Sequence, residues 1–183
     1  VSMKDFFNQF KQVLDWESKM ISDCAERLSN EGNRIVFNLS VEEVISSLDA
    51  GGKIIVTGMG KSGKFAEKIA GTFLSTGSLA IYLHPAEALH GDLGVVREGD
   101  IIIAISQTGN THETVLLAEI LKSRRNKIIA ICGNKSSTLA QICNFQIDTK
   151  IEREACPNNL APTASTTLAL AVGDGIAISV GTA

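Results

Sequence analysis

Ile101-Ile102-Ile103-Ala104-Ile105-Ser106-Gln107-Thr108-Gly109-Asn110-Thr111 sets an unbroken apolar run directly before a cluster of hydroxyl, carboxamide and glycine residues. A run without period-two alternation is a strand buried on both faces, which is the signature of a parallel sheet. The polar cluster then falls at the carboxyl end of the strand, where open α/β sheets bind their ligands. A helical pattern containing Glu113 follows, so its first N–H groups and the positive end of its dipole face the same loop. Ser106, Gln107, Thr108 and Thr111 therefore read as a cradle for a phosphate monoester. The same residues also suit an ordinary strand-to-helix loop with Thr111 as N-cap.

Working outward, Lys53–Thr57, Leu79–Leu83, Lys127–Cys132 and Phe145–Asp148 repeat the short apolar texture of Asp100–Ile105. Helical patterns lie between them near Gly63–Ser75, Thr111–Ser123 and Thr138–Cys143. This alternation predicts an α/β fold with a parallel sheet covered on both faces. Upstream, residues 3–29 show apolar positions at a period near 3.6, a long amphipathic helix. A second helix runs from Ile35 to Leu48 and is stopped by Ala50-Gly51-Gly52. The segment Leu160 to Val180 is apolar enough to raise a membrane span, but Pro162, Asp174 and the hydroxyl cluster at 163–167 interrupt it. A buried helix is expected there, and its small residues let another helix approach closely.

At 183 residues with no evident boundary, the chain is expected to form a single domain over 1–183. The net charge of −3 and the lack of a basic block point to a small-molecule ligand, not to nucleic acid. Cys24, Cys132, Cys143 and Cys156 are dispersed with no C-x-x-C pair, and no signal-peptide pattern opens the sequence. Reduced thiols, a cytoplasmic location and no membrane association are expected.

Gly58-Met59-Gly60-Lys61-Ser62-Gly63 matches the G-x-G-x-x-G spacing of dinucleotide sites. That reading needs an acidic residue about 20 positions on, at the end of the second strand. Here the strand ends in His84-Pro85 and the nearest carboxylate is Glu87, so the match is incomplete. A P-loop needs a glycine where Ile55 stands. What remains is a tight turn that carries Gly60, Ser62 and the cationic Lys61 to the carboxyl edge of the sheet, although a solvated loop lysine reads the same way.

Taken together, the Gly58–Gly63 turn, Thr72–Gly77, His84–Gly94, Ile103–Gly109 and Glu154–Thr163 closely resemble the sugar isomerase domain family. The His84–Gly94 and Glu154–Thr163 stretches are similar to its arabinose-5-phosphate isomerase branch. The resemblance implies a flavodoxin-like three-layer fold with a five-stranded parallel sheet and a homotetramer. It also implies cofactor-independent interconversion of D-ribulose 5-phosphate and D-arabinose 5-phosphate, supplying Kdo for lipopolysaccharide or capsule. Lys61, Glu113 and Glu154 carry over as catalytic positions by motif. Many members continue into a His-Pro-Gly-Gly segment, whose histidine belongs to the active site, and into paired CBS modules; this sequence ends at Ala183, before either. A non-catalytic sugar-phosphate sensor is therefore an alternative, as is a 3-hexulose-6-phosphate isomerase.

Moving a carbonyl between C1 and C2 requires removing a proton beside the carbonyl and returning it one carbon away, through an enediolate. Glu154, where the last strand opens into a proline-containing turn, is the first choice as base. Glu113 is the second carboxylate, although an acid in the first helical turn is favoured by the dipole alone. Lys61 is placed either to stabilise the enediolate oxyanion or to contact the phosphate. His84 and His90 flank Glu87, but on a helix the three spread over roughly 120°, too wide for a metal cluster, and no metal is expected. His90 is read as a proton shuttle that opens the sugar ring, with Asp92 orienting it or merely capping a loop. Cys156 is expected to be inert. Ser165, Thr166 and Thr167 are read either as additional site hydroxyls or as caps of the final helix.

Overall fold

Ile101–Ile105 forms the central strand of a five-stranded parallel sheet in the computed structural model, which describes residues 6–183. The strands are β1 (Ile54–Gly58), β2 (Ala80–Leu83), β3 (Ile101–Ile105), β4 (Lys127–Cys132) and β5 (Phe145–Asp148), in the spatial order β2-β1-β3-β4-β5. Because β3 lies beside β1 on the side opposite β2, the strand order reverses between β1 and β3. A crevice opens at their carboxyl ends, where α/β folds place ligands. The register pairs Gly58 with Ile105, so the β1 turn and the polar loop after β3 emerge side by side.

Among the described residues there are seven helices around the sheet: α1 (Phe6–Leu28), α2 (Glu31–Asp49), α3 (Lys61–Ser75), α4 (Pro85–Leu89), α5 (His112–Ser123), α6 (Thr138–Ile142) and α7 (Ala164–Gly181). Successive strand residues serve opposite faces. Val56, Ile101, Ile103 and Ile105 join Val44, Ile69, Phe73 and Ile176 of α2, α3 and α7. Ile55, Ile102 and Ala104 join Leu117 and Leu121 of α5 and Leu139 of α6. Each of these isoleucines is at most 2% exposed, and each such burial stabilises the fold by about 1.5–3 kcal/mol.

The elements match the sequence reading, and the boundaries move for local reasons. The second helix starts at Glu31, not Ile35, because Asn30 caps it by accepting a hydrogen bond from the Asn33 amide. Helix α3 starts at Lys61, two residues before the expected Gly63, because Gly60 turns the chain with φ +59°. Gly63 permits the tight β1–α3 turn: a Cβ there would lie 2.5 Å from the Tyr82 hydroxyl and 2.8 Å from the Gly58 carbonyl. Helix α4 and a 3₁₀ turn at Asp92–Val95 are additional to the sequence reading.

Helix α7 has the length and apolarity of a membrane span. It packs instead against α1, α2 and α3, with Leu168, Ile176 and Ala177 buried. Gly173 faces Ile69 of α3 so closely that a Cβ there would collide with that side chain. The expected N-terminal helix is present from Phe6; residues 3–5 of that expectation lie outside the described residues. Met20 and Cys24 bury its inner face, whereas Phe6, Phe7, Phe10 and Leu14 are 52–71% exposed. Arg27 ties the end of α1 to the sheet through the buried Asp148 carboxylate at 3.3 Å.

Candidate active site

A cleft of about 280 Å³ opens at the carboxyl edge, walled by the start of α3, the loop after β3, the segment after β5 and the start of α7. Lys61, Ser62, Gln107, Thr108 and Glu154 line it together with Ser165. The topology thus gathers residues separated by up to about a hundred positions. Hydrophobic walls come from Phe65, Ile105 and Ala169.

The loop after β3 is held from beneath. Ser106 is 2% exposed, and its Oγ lies 2.9 Å from the Thr111 hydroxyl and accepts a hydrogen bond from the Gly109 amide. Thr111 occupies the N-cap position of α5 without a side-chain cap bond, since its hydroxyl is spent on Ser106. Asn110 accepts a hydrogen bond from the Thr138 amide at 3.0 Å, and the Leu139 amide donates to the Gly109 carbonyl. Gly109 has φ +67°, and a Cβ there would strike the Ser137 side chain. Glycine is required on both counts. Thr108 at the exposed tip presents its hydroxyl to the cleft while accepting from the Asn110 amide.

Glu154 is the most heavily engaged group of the site. Its carboxylate accepts hydrogen bonds from the Thr163 amide at 2.9 Å, the Thr163 hydroxyl at 3.2 Å, the Ser165 amide at 3.1 Å and the Ser165 hydroxyl. It thereby caps the N-terminus of α7, where unpaired N–H groups and the helix dipole favour an anion. Partial burial by itself pushes the carboxyl up, but hydrogen bonds from Ser165 and Thr163 outweigh it and hold the pKa below the ordinary value. A depressed folded-state pKa stabilises the protein fully above the ordinary carboxylate range, and the benefit is lost as pH falls through the folded value. Wild type and Glu154→Gln are therefore expected to differ in thermal midpoint near neutral pH and to converge in acid. A gap that persisted unchanged into acid would show that the ionised cap contributes nothing.

The remaining expected residues lie at the margins. Lys61 is exposed at the first position of α3, and Gly60 is its N-cap. Glu113 sits in the first turn of α5, outside the cleft lining. His90 is the exposed C-cap residue of α4 and does not line the cleft. His84, the N-cap residue of α4, stacks edge-on against Tyr82 with ring centroids 6.3 Å apart. Among the described residues, no three His, Cys, Asp or Glu side chains form a metal-binding group. Burial raises the Cys24 and Cys132 thiols and pushes Cys143 up to about 11, while backbone hydrogen bonds around Ala161 and Leu160 lower Cys156.

Sequence reasoning missed Thr163 and the brace behind Glu154. Thr163 has a readable signal, a hydroxyl residue just before an apolar helical run. The brace has none: the Trp16 indole donates to the Arg153 carbonyl at 2.9 Å across 137 residues of chain.

The SIS domain profile matches residues 48–179 of this chain. Arabinose 5-phosphate isomerase KdsD of Pseudomonas aeruginosa is 44% identical over 175 residues, covering 96% of this chain and 51% of the relative. Arabinose 5-phosphate isomerase KpsF of Escherichia coli O6:H1 is 41% identical over 169 residues, covering 92% of this chain and 50% of the relative. The chain thus spans about half the length of the curated relatives it matches. A solved structure of c3406 from E. coli CFT073 in complex with arabinose 5-phosphate superposes with a TM-score of 0.87 at 32% identity, covering 98% of this chain and 93% of that one. On a profile match over most of its length, and with the β2-β1-β3-β4-β5 sheet and carboxyl-edge cleft in place, this chain belongs to the SIS domain family.

Proposed function

We infer that this chain is the isomerase unit of an enzyme interconverting D-ribulose 5-phosphate and D-arabinose 5-phosphate. The observation that carries the reading is the meeting, in one cleft, of a carboxylate (Glu154), a cation (Lys61) and the polar loop Gln107–Thr108. The activity named for the KdsD and KpsF relatives supports it.

The phosphate dianion is received by Gln107 and Thr108 with Ser62 beside them, while Ser106 and Thr111 brace the loop from behind and Gly60 caps α3, these three lying outside the cleft lining. Glu154 takes the proton from C2 of the open-chain aldose, and the electron pair passes to O1 to give the enediolate. Lys61 stabilises the oxyanion. Passing the O2 proton to O1 and returning the abstracted proton to C1 gives the ketose. Glu113 is the second carboxylate. His90 serves ring opening, and because it lies outside the cleft of its own chain, a neighbouring subunit must bring it to the substrate. No cofactor enters this chemistry. The product would feed synthesis of Kdo for lipopolysaccharide or capsule, in the cytoplasm, without nucleic-acid or membrane partners.

Incubating the purified protein with ribulose 5-phosphate and measuring arabinose 5-phosphate tests the assignment. Tight sugar-phosphate binding without turnover would replace the isomerase by a sensor.

The exposed Phe6, Phe7 and Phe10 face supports burial of α1 against a second subunit, as a homotetramer would provide, because apolar area of this kind is normally covered. Phe10→Asp is expected to shift the sedimentation profile from a tetramer toward smaller species while leaving the far-UV circular dichroism unchanged. A wild-type protein that sediments as a monomer would overturn the assembly.

A further inference from the structure

We propose that Trp16 and Arg153 are positioning residues that fix the Glu154 carboxylate, making helix α1 a working part of the active site. Trp16 is the only tryptophan of the chain. Its indole N–H donates to the Arg153 carbonyl at 2.9 Å, and the Arg153 guanidinium lies 4.1 Å from the indole centroid, a close cation–π stack. Arg153 Nη1 in turn donates to the Glu154 carbonyl at 3.1 Å. Trp16 thus holds the residue before Glu154 by its backbone and its side chain, and that residue holds the backbone of Glu154 itself.

Two further contacts make α1 a continuous rail along this segment. Lys19 of α1 approaches Glu152 at 3.6 Å, and Glu17 accepts a hydrogen bond from the Thr167 hydroxyl at 2.9 Å. Glu17 therefore touches the same end of α7 that receives the Glu154 carboxylate. Glu154 is gripped at its backbone from α1 and at its carboxylate from α7, and α1 ties the two grips together. A segment without regular secondary structure gains a fixed carboxylate in this way, as proton abstraction requires.

Helix α1 lies outside residues 48–179, the part matched by the SIS domain profile. The brace is supplied by a helix outside that matched region, in a part of the chain that the arabinose 5-phosphate-bound c3406 structure also covers.

The kinetic arm of the test rests on the isomerase reading, and a second arm does not. Trp16→Leu removes both the N–H donor and the stacking face, whereas Trp16→Phe keeps a ring and removes only the donor. With arabinose 5-phosphate as substrate, Trp16→Leu is expected to lose about 100-fold in kcat, the cost typical of a group displaced by about 1 Å. Trp16→Phe is expected to lose roughly tenfold, a partial rescue. KM stays near the wild-type value in both, because the Ser106–Thr111 loop is untouched. Arg153→Ala, at an exposed side chain, removes the stack and the Nη1 bond to Glu154 while leaving the indole bond to the backbone carbonyl, and serves should Trp16→Leu fail to fold.

In amide hydrogen exchange, peptides covering residues 151–160 are expected to lose protection in Trp16→Leu and Arg153→Ala, while the β3 and β4 peptides keep theirs. A brace that only stabilised the fold would instead lower the thermal midpoint and raise exchange throughout, with kcat of the folded enzyme unchanged. That result, or wild-type protection of residues 151–160 in both variants, overturns the proposal. A wild-type protein inactive on arabinose 5-phosphate overturns the isomerase reading alone, and the exchange experiment then decides the brace by itself.

Discussion

Glu154→Gln is expected to reduce turnover of arabinose 5-phosphate by about 10²–10⁴-fold, the range for loss of a positioned general base. Glutamine keeps the length of the side chain and one oxygen acceptor, so part of the hydrogen bonding from the Thr163 and Ser165 amides survives. It offers no basic lone pair to the C2 proton. The catalytic loss should therefore far exceed what the modest fall in stability explains, and KM should change little. Steady-state kinetics beside a thermal melt separates the effects. Turnover at the wild-type rate would remove Glu154 from the chemistry and leave it as the cap of α7.

Lys61→Met is expected to cost about 10²–10³-fold in kcat, the magnitude for removing one preorganised stabiliser of a developing oxyanion. Methionine retains an apolar stem of similar length, so the start of α3 keeps its packing while the charge is lost. Because Lys61 shares the cleft with Gln107 and Thr108, it could instead serve the phosphate. The two roles separate in kinetics: oxyanion stabilisation lowers kcat and kcat/KM together, whereas a phosphate contact raises KM at constant kcat. A pure KM effect would move Lys61 to the phosphate subsite.

The sheet was legible because its strands are buried on both faces, and burial of that kind writes itself as uninterrupted Ile-rich runs such as Ile101–Ile105. The turn at Gly58–Gly63 was legible for a similar reason, since close backbone approach demands glycine at Gly63. The boundary of α2 was misread because its start is set by one Asn30 side chain, not by the apolar period. That Lys61, Gln107, Thr108 and Glu154 line one cleft could be read from their places beyond the ends of β1, β3 and β5. The partners of Glu154 could not be read in the same way. Four hydrogen bonds onto one carboxylate depend on how an irregular loop of about ten residues folds back on itself, and the indole reaching Arg153 from α1 depends on packing across 137 residues. His90 shows the converse: its sequence neighbourhood marks it, yet within one chain α4 leaves it away from the cleft.

The embrace of Glu154 by Thr163, Ser165 and the α1 rail bears on the order in which the molecule matures. The two glycine-bearing loops exist as soon as β1 and β3 pair, a contact closed over about 50 residues. Glu154 finds its donors only when α7 has docked, and its brace only when the first helix has folded back onto residues 152–167. The donors lie only nine and eleven residues from Glu154, but the α1 brace spans 137, and a contact of that separation closes late because the loop entropy must be met first. A growing chain would thus acquire its two glycine-bearing loops well before the Glu154 carboxylate is fixed, and that fixing would come with the docking of α1.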